Sequence, residues 1–201
     1  MRNPVSCGVI ATLFLAPAPI FAQVSDPAQA TIAALDDGLL SIMKAGKAAG
    51  AARRGAMIGP VVDRAYDLPL MTRLSVGPAW NGMAAADQTA LVAAFRRLTV
   101  AQYAANFDGF SGETFTIAPK VEERAGDKLV RTTLTPKTGD PVAISYRMRQ
   151  SGGQWKIIDV FYKNSISQLA TRRSDFAAAL AAGGAKGLIA HLDRLAAKPA
   201  S

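Results

Sequence analysis

Thiols, imidazoles and aromatic rings are scarce in this chain, and each scarcity excludes a class of chemistry. Cys7 is the only cysteine in 201 residues. The chain beyond it offers no disulfide, no thiolate nucleophile and no zinc–thiolate set. His191 is the only histidine. One imidazole without partners builds neither a metal centre nor a catalytic triad, and its place between Ile189 and Leu192 reads as structural. Aromatic residues make up only 7% of the chain. Lys and Arg occur in no block longer than pairs such as Arg53-Arg54, Arg96-Arg97 and Arg172-Arg173. Scattered cations without interleaved rings are not the footprint of a nucleic-acid groove, so no nucleic-acid partner is expected. No apolar run is long enough to span a bilayer.

The longest apolar run is N-terminal. Arg2 supplies a positive charge, Gly8–Leu15 an apolar stretch, and Ala16–Ala22 small residues and helix-breaking prolines. That tripartite order is the order of an export signal. The expected boundaries are a cleaved leader over 1–22, cut after Ala22 with Ala18 as second choice, and one mature domain over 23–201. Cys7 precedes the apolar stretch instead of following it, which argues against a lipoprotein signal. The formal charge is +8; loss of Arg2 leaves 22 basic residues against 15 acidic, or +7. A basic exported protein is drawn to anionic headgroups or an acidic partner, although plain solubility accounts for the charge equally well.

Past the leader, Ser25-Asp26-Pro27 has the form of a helix start, and Ile32, Leu35, Leu39, Ile42 and Met43 recur at helical spacing. Gly46, Gly50 and Gly55 are expected to loosen the next stretch before a second helix through Met57–Ala65. Tyr66–Pro69 opens a short third helix, which Gly77-Pro78 breaks. Asp87 is the expected cap of a long helix with the stripe Leu91, Phe95, Leu98, Tyr103 and Phe107. Four strands follow, at Thr114–Ala118, Lys128–Thr135, Val142–Gln150 and Gln154–Tyr162, with Gly152-Gly153 as a tight hairpin turn. Ser165 or Ser167 then caps a helix that Gly183-Gly184 ends, and a last helix carries Leu188 to Leu195. The expected fold class is α+β, with helical parts about 26–107 and 165–197 and a curved antiparallel meander about 113–163. Such a sheet bent around a long helix makes a cone with an apolar mouth.

Gln154–Tyr162 is the most informative strand. Trp155, Ile157, Asp159 and Phe161 alternate onto one side, and Ile158, Val160 and Tyr162 onto the other. A half-buried strand alternates apolar with polar, and this one is greasy on both sides. It predicts cover on both faces, by helices or by helices and a ligand.

Enzyme signatures are weak. Ser41–Lys44 matches S-x-x-K and Lys137–Gly139 matches K-T-G, both found in penicillin-interacting serine enzymes. The loose Y-x-N at Tyr162–Asn164 follows the K-T-G instead of preceding it, and Lys137–Gly139 sits in a predicted turn, so the match is coincidence. Asp36-Asp37 and Glu122-Glu123 are adjacent pairs that read as solvated faces. One enzymatic alternative uses the cone itself: Asp159 with Tyr146 or Tyr103, where burial would raise a carboxyl pKa for proton abstraction. Asp159 as a paired or turn-capping carboxylate is the structural alternative.

Several segments, in order, carry a family likeness: Tyr66-Asp-Leu-Pro-Leu-Met-Thr-Arg-Leu-Ser-Val-Gly77, Phe95–Tyr103, Phe107–Glu113, Gly153–Val160 and Ile166–Phe176. With these the chain resembles the MlaC family of periplasmic lipid carriers, also called the toluene-tolerance family, and most nearly its hopanoid-associated HpnM branch. The resemblance implies an NTF2-like curved sheet with a helical subdomain around a deep apolar pocket. It implies a periplasmic carrier, not an enzyme, without a cofactor or metal. Its cargo would be a phospholipid or a hopanoid, exchanged between an inner-membrane transport complex and an outer-membrane acceptor.

A pocket for such cargo needs apolar walls and few polar groups. The candidate lining residues are Leu74, Val76, Leu98, Tyr103, Phe107, Ile144, Tyr146, Met148, Val160, Tyr162, Ile166, Leu169 and Phe176. Arg73, Arg147 and Arg172 are candidates to hold an anionic headgroup. A third reading is an interaction module with a solid core and no cargo.

Overall fold

A computed structural model describes residues 26–198. The leader expected over 1–22 lies outside the described residues. The elements run α1 (Pro27–Ala45), α2 (Gly50–Ala65), α3 (Leu68–Val76), α4 (Ala85–Asn106), β1 (Thr114–Ile117), β2 (Glu122–Arg124), β3 (Asp127–Thr135), β4 (Val142–Ser151), β5 (Gln154–Tyr162), β6 (Ile166–Ser167) and α5 (Gln168–Ala196). The sheet is antiparallel in the order β1-β3-β4-β5-β6, and β2 pairs with the opposite end of the β3 edge from β1. The α+β class is as expected, with six strands in place of about four. Residues Glu122–Arg124 and Ile166-Ser167 are too few to show an alternation, so periodicity could not find them.

Helix α1 begins with a reciprocal cap. The Asp26 carboxylate accepts the Ala28 N–H at 2.8 Å, and Gln29 accepts the Asp26 N–H at 3.1 Å. Its start is fastened to the sheet, because Gln29 donates to the Ala118 carbonyl at 2.8 Å and Thr31 to the Trp155 carbonyl at 3.0 Å. Its apolar stripe of Ile32, Leu35, Leu39 and Ile42 is wholly buried. Gly46 and Gly50, at φ 67° and 74°, interrupt the chain between α1 and α2 as expected, but Gly55 lies inside α2, which starts at Gly50. A Cβ on Gly59 would stand 3.2 Å from Arg96, and one on Gly38 of α1 would stand 3.0 Å from Val61. The missing side chains let α1, α2 and α4 approach closely.

Asp87 does not cap α4. Ala84 takes that place with no side-chain bond, and Asp87 stands in the first turn, where a carboxylate still favours the positive end of the helix dipole. The last two expected helices form one element broken at Gly183-Gly184, and Gly184 adopts φ 60° and ψ −155°, a conformation restricted to glycine.

The alternation expected in β5 fails because of a β-bulge. Arg147 pairs with Asp159 but Met148 pairs with Ile157, leaving Ile158 without an opposite residue. The extra residue turns Trp155 and Ile157 onto the face of Val160 and Tyr162. That face looks onto the helices. The other face carries Asp127, Arg147, Arg149 and Ser145 and needs no apolar cover. Asp127 is 4% exposed and accepts Arg149 Nε at 2.6 Å and Arg147 Nε at 2.6 Å. The Arg149 hydrogen bond foremost, then Arg147, hold its carboxyl below the ordinary range against the opposing effect of burial. The strand therefore looked greasy on both sides because it changes sides in the middle.

Asp159 fastens the sheet to α5. Its carboxylate accepts the Ser167 hydroxyl at 2.6 Å, the Val160 N–H at 2.8 Å and the Leu169 N–H at 3.0 Å. With three donors already on it, it is committed to structure. Asp159→Ala is expected to lower the unfolding free energy in urea by about 2 kcal/mol, since buried donors are left unpaired. An unchanged denaturation midpoint would contradict this role.

Candidate functional site

The helix-facing side of the sheet is not fully packed. Between it and the helices lies a cavity of about 860 Å³, open at one end. One wall is the sheet, through Leu134, Val142, Ile144, Tyr146, Val160 and Tyr162. The facing wall is helical: Leu39 and Met43 from α1, Met71 from α3, and Thr99, Gln102, Tyr103 and Asn106 from α4, with Phe107 just past its end. The volume falls within the ~300–1,000 Å³ typical of small-molecule sites. The Tyr103 and Phe107 rings pack against each other in this wall, tilted by 40° with centroids 5.8 Å apart.

Polarity is graded along the cavity. Lys47 and Asp108, 3.8 Å apart, stand at the mouth with Asn106, Ser111, Glu113 and Gln168. The rim also exposes Tyr162 (42%), which pairs with Ile166. Arg172 enters the wall from α5. Its guanidinium lies 4.8 Å from the centre of the Phe95 ring and donates to Gln102 Oε1 at 2.9 Å. Among the described residues no carboxylate pairs with it. Burial lowers its pKa from the ordinary value, against the opposing fields of Tyr103, Tyr66, Asp175 and Asp159.

Beside the cavity, though not among the residues that line it, lies a group that sequence reasoning assigned to solvent. Leu39 and Met43 stand one turn apart on the face of α1 that borders the cavity, and Asp36 lies one turn before Leu39 on the same helix. Asp36 is 5% exposed, and neither carboxylate oxygen has a hydrogen-bond partner among the described residues. Burial first, and the charge of Asp37 second, push its pKa up to about 7. Tyr66, Tyr103 and Tyr146 stand close by at the cavity surface. The hydroxyls of Tyr66 and Tyr103 are hydrogen-bonded to each other. Burial raises all three phenol pKa values, and the charge of Asp36 adds to the effect on Tyr103 and Tyr146.

Of the residues expected to line a pocket, the structure brings Tyr103, Phe107, Ile144, Tyr146, Val160 and Tyr162 together around the cavity. Val76, Leu98, Met148 and Phe176 are buried in the packed core instead. Leu98 is one residue, about 100° of helix turn, away from the cavity-facing Thr99. Phe176 packs edge-on to Phe95 with centroids 6.1 Å apart. Leu74 and Leu169 are half-buried away from the cavity, and Ile166 is 49% exposed. Of the cationic candidates, Arg172 reaches the cavity, Arg147 is held by Asp127 on the far face of the sheet, and Arg73 is exposed. Asp36, Tyr66 and Met71 were missed. The signal for Asp36 was present in its spacing, four residues after Ile32 and three before Leu39 on the buried stripe.

Two comparisons with known proteins agree with this geometry. A family model described as MlaC protein matches residues 33–194. The fold is similar to that of a phospholipid-binding protein from Ralstonia solanacearum, solved in complex with a phospholipid. The two are 26% identical with a TM-score of 0.73, over 85% of this chain and 97% of that one.

Proposed function

Because the chain belongs to the MlaC family, we propose that it is a periplasmic carrier that encloses lipid hydrocarbon in this cavity and ferries it between the inner and outer membranes. The observation that carries the reading is the open, largely apolar cavity between sheet and helices. An acyl chain of ~16 carbons costs on the order of 12 kcal/mol to hold in water, at about 0.8 kcal/mol per CH₂. A cavity that takes in the chain removes most of that barrier, and a polar mouth leaves the headgroup wet. No helix among the described residues is long and apolar enough to cross a membrane. An inner-membrane transport complex and an outer-membrane acceptor are the partners such a shuttle requires. The enzymatic alternative built on Asp159 loses that base, because its carboxylate is occupied by Val160, Ser167 and Leu169.

Arg172 divides the two cargo classes. A guanidinium without a carboxylate, stacked on a ring in the cavity wall, suits a phosphate, whereas a neutral hopanoid makes no use of it. Native mass spectrometry of protein purified from its host's periplasm is expected to find a bound lipid. If that lipid is a phospholipid, Arg172→Gln is expected to lower its occupancy about tenfold; a neutral hopanoid would be retained. An empty protein in the wild type would overturn the carrier reading in favour of an interaction module.

A further inference from the structure

The inner end of the cavity is polar where a hydrocarbon carrier would be apolar, and the hydroxyls there are incompletely paired. Tyr66 and Tyr103 have two phenolic protons between them, and their mutual hydrogen bond uses one. Among the described residues neither hydroxyl makes another bond. Tyr146 brings a third hydroxyl, hydrogen-bonded to Thr132, and the carboxyl of Asp36 lies nearby without a partner. All three rings border the cavity, and Tyr66 and Tyr146 are 3% and 2% exposed.

Water can serve these groups while the cavity is open. A fully apolar chain entering to its inner end would displace that water and offer nothing in return, and an orphaned buried hydroxyl is expensive. A guest with an oxygen at that depth would keep the protons paired. We infer that Tyr66, Tyr103 and Tyr146, backed by Asp36, form a recognition site for a hydroxyl group on the buried end of the cargo. Selectivity of this kind is steep, because a site built to bond a hydroxyl penalises the analogue that lacks one. A hydroxyl suits the cluster better than an ammonium. It can donate and accept at once among phenols and a carboxyl, and it brings no charge into an apolar cavity. The inference rests on the carrier reading and narrows its cargo to lipids with a hydroxyl on the part that enters the cavity.

The test compares methyl hexadecanoate with methyl 16-hydroxyhexadecanoate, which lack a carboxylate for Arg172 to draw to the cluster, by isothermal calorimetry on delipidated protein at pH 7. In an apolar pocket the terminal hydroxyl would weaken binding. Here the hydroxylated chain is expected to bind at least as tightly as its parent, and about tenfold tighter when all its bonds form. Tyr103→Phe/Tyr146→Phe removes hydroxyls with little change of shape. It is expected to reverse the preference by about tenfold or more while leaving methyl hexadecanoate bound as well or better. Because the readout is the ratio of two affinities in one folded protein, a modest loss of stability does not mimic it. A wild-type preference for the parent chain, or a ratio unmoved by the double substitution, overturns the inference and leaves the carrier standing. Failure of either chain to bind takes down both.

Discussion

Asp36→Leu is expected to make this protein more stable at pH 8 by about 4 kcal/mol, with the pH-dependent part of that gain absent at pH 4. The Asp36 carboxyl moves from an ordinary 3.8 when unfolded to about 7 in the fold, roughly three units at ~1.36 kcal/mol each. Below about pH 4 both states are protonated and no charge is buried. Between about pH 4 and 7 the unfolded chain releases a proton that the folded one keeps. Over that interval the folded state binds more protons, and stability falls as pH rises. Above pH 7 both are ionised and the full penalty applies. Asp26 and Asp127 work in the opposite sense. Their carboxyls lie below the ordinary value when folded, so the stability they confer is present above about pH 4 and lost on further acidification. The windows are separate, and urea titrations at pH 4, 6 and 8 isolate Asp36. Parallel pH profiles for wild type and Asp36→Leu would show that the carboxyl is not buried as described. A chain that retains such a penalty beside this cavity is trading stability for something the cavity does. The leucine variant should accordingly be more stable but less able to prefer a hydroxylated guest.

The architecture was legible in the sequence because it is written in repeated local signals. Asp26-Pro27 starts a helix, Gly152-Gly153 closes a hairpin with φ 57° and 78°, and β4 alternates Ile144, Tyr146 and Met148 onto one face over ten residues. Features that depend on one extra residue or one distant partner were not legible. The bulge at Ile158 is invisible to a period-two pattern and reverses half of β5. Arg54 looked like half of a surface cation pair, yet it is 4% exposed. It donates to the Ala104 carbonyl at 2.9 Å and the Gly46 carbonyl at 2.7 Å, joining the ends of α4 and α1. Which apolar residues face a cavity and which fill the core follows from helix rotation, and Leu98 and Thr99 differ only in that. Asp36 was misread because its neighbour Asp37 suggested a solvated face, while the helical stripe it belongs to pointed inward.

Filling the cavity should abolish lipid carriage without unfolding the protein. Val142 and Val160 are both half-buried, both border the open volume, and both stand on the sheet wall opposite α4. A tryptophan at each extends into space that the protein's own side chains leave free, so the overpacking strain that such changes cause in a solid core is largely avoided. The guest loses that space instead. Excluding about six methylenes forfeits about 5 kcal/mol at ~0.8 kcal/mol each, which corresponds to between three and four orders of magnitude in affinity. The Val142→Trp/Val160→Trp protein is expected to keep its circular dichroism and cooperative unfolding, and to carry lipid at under a tenth of wild-type occupancy in native mass spectra. The two measurements separate the alternatives. A folded, empty variant places the hydrocarbon between sheet and helices, whereas a folded variant with its full load would mean that the cargo is held elsewhere and that the 860 Å³ void is incidental.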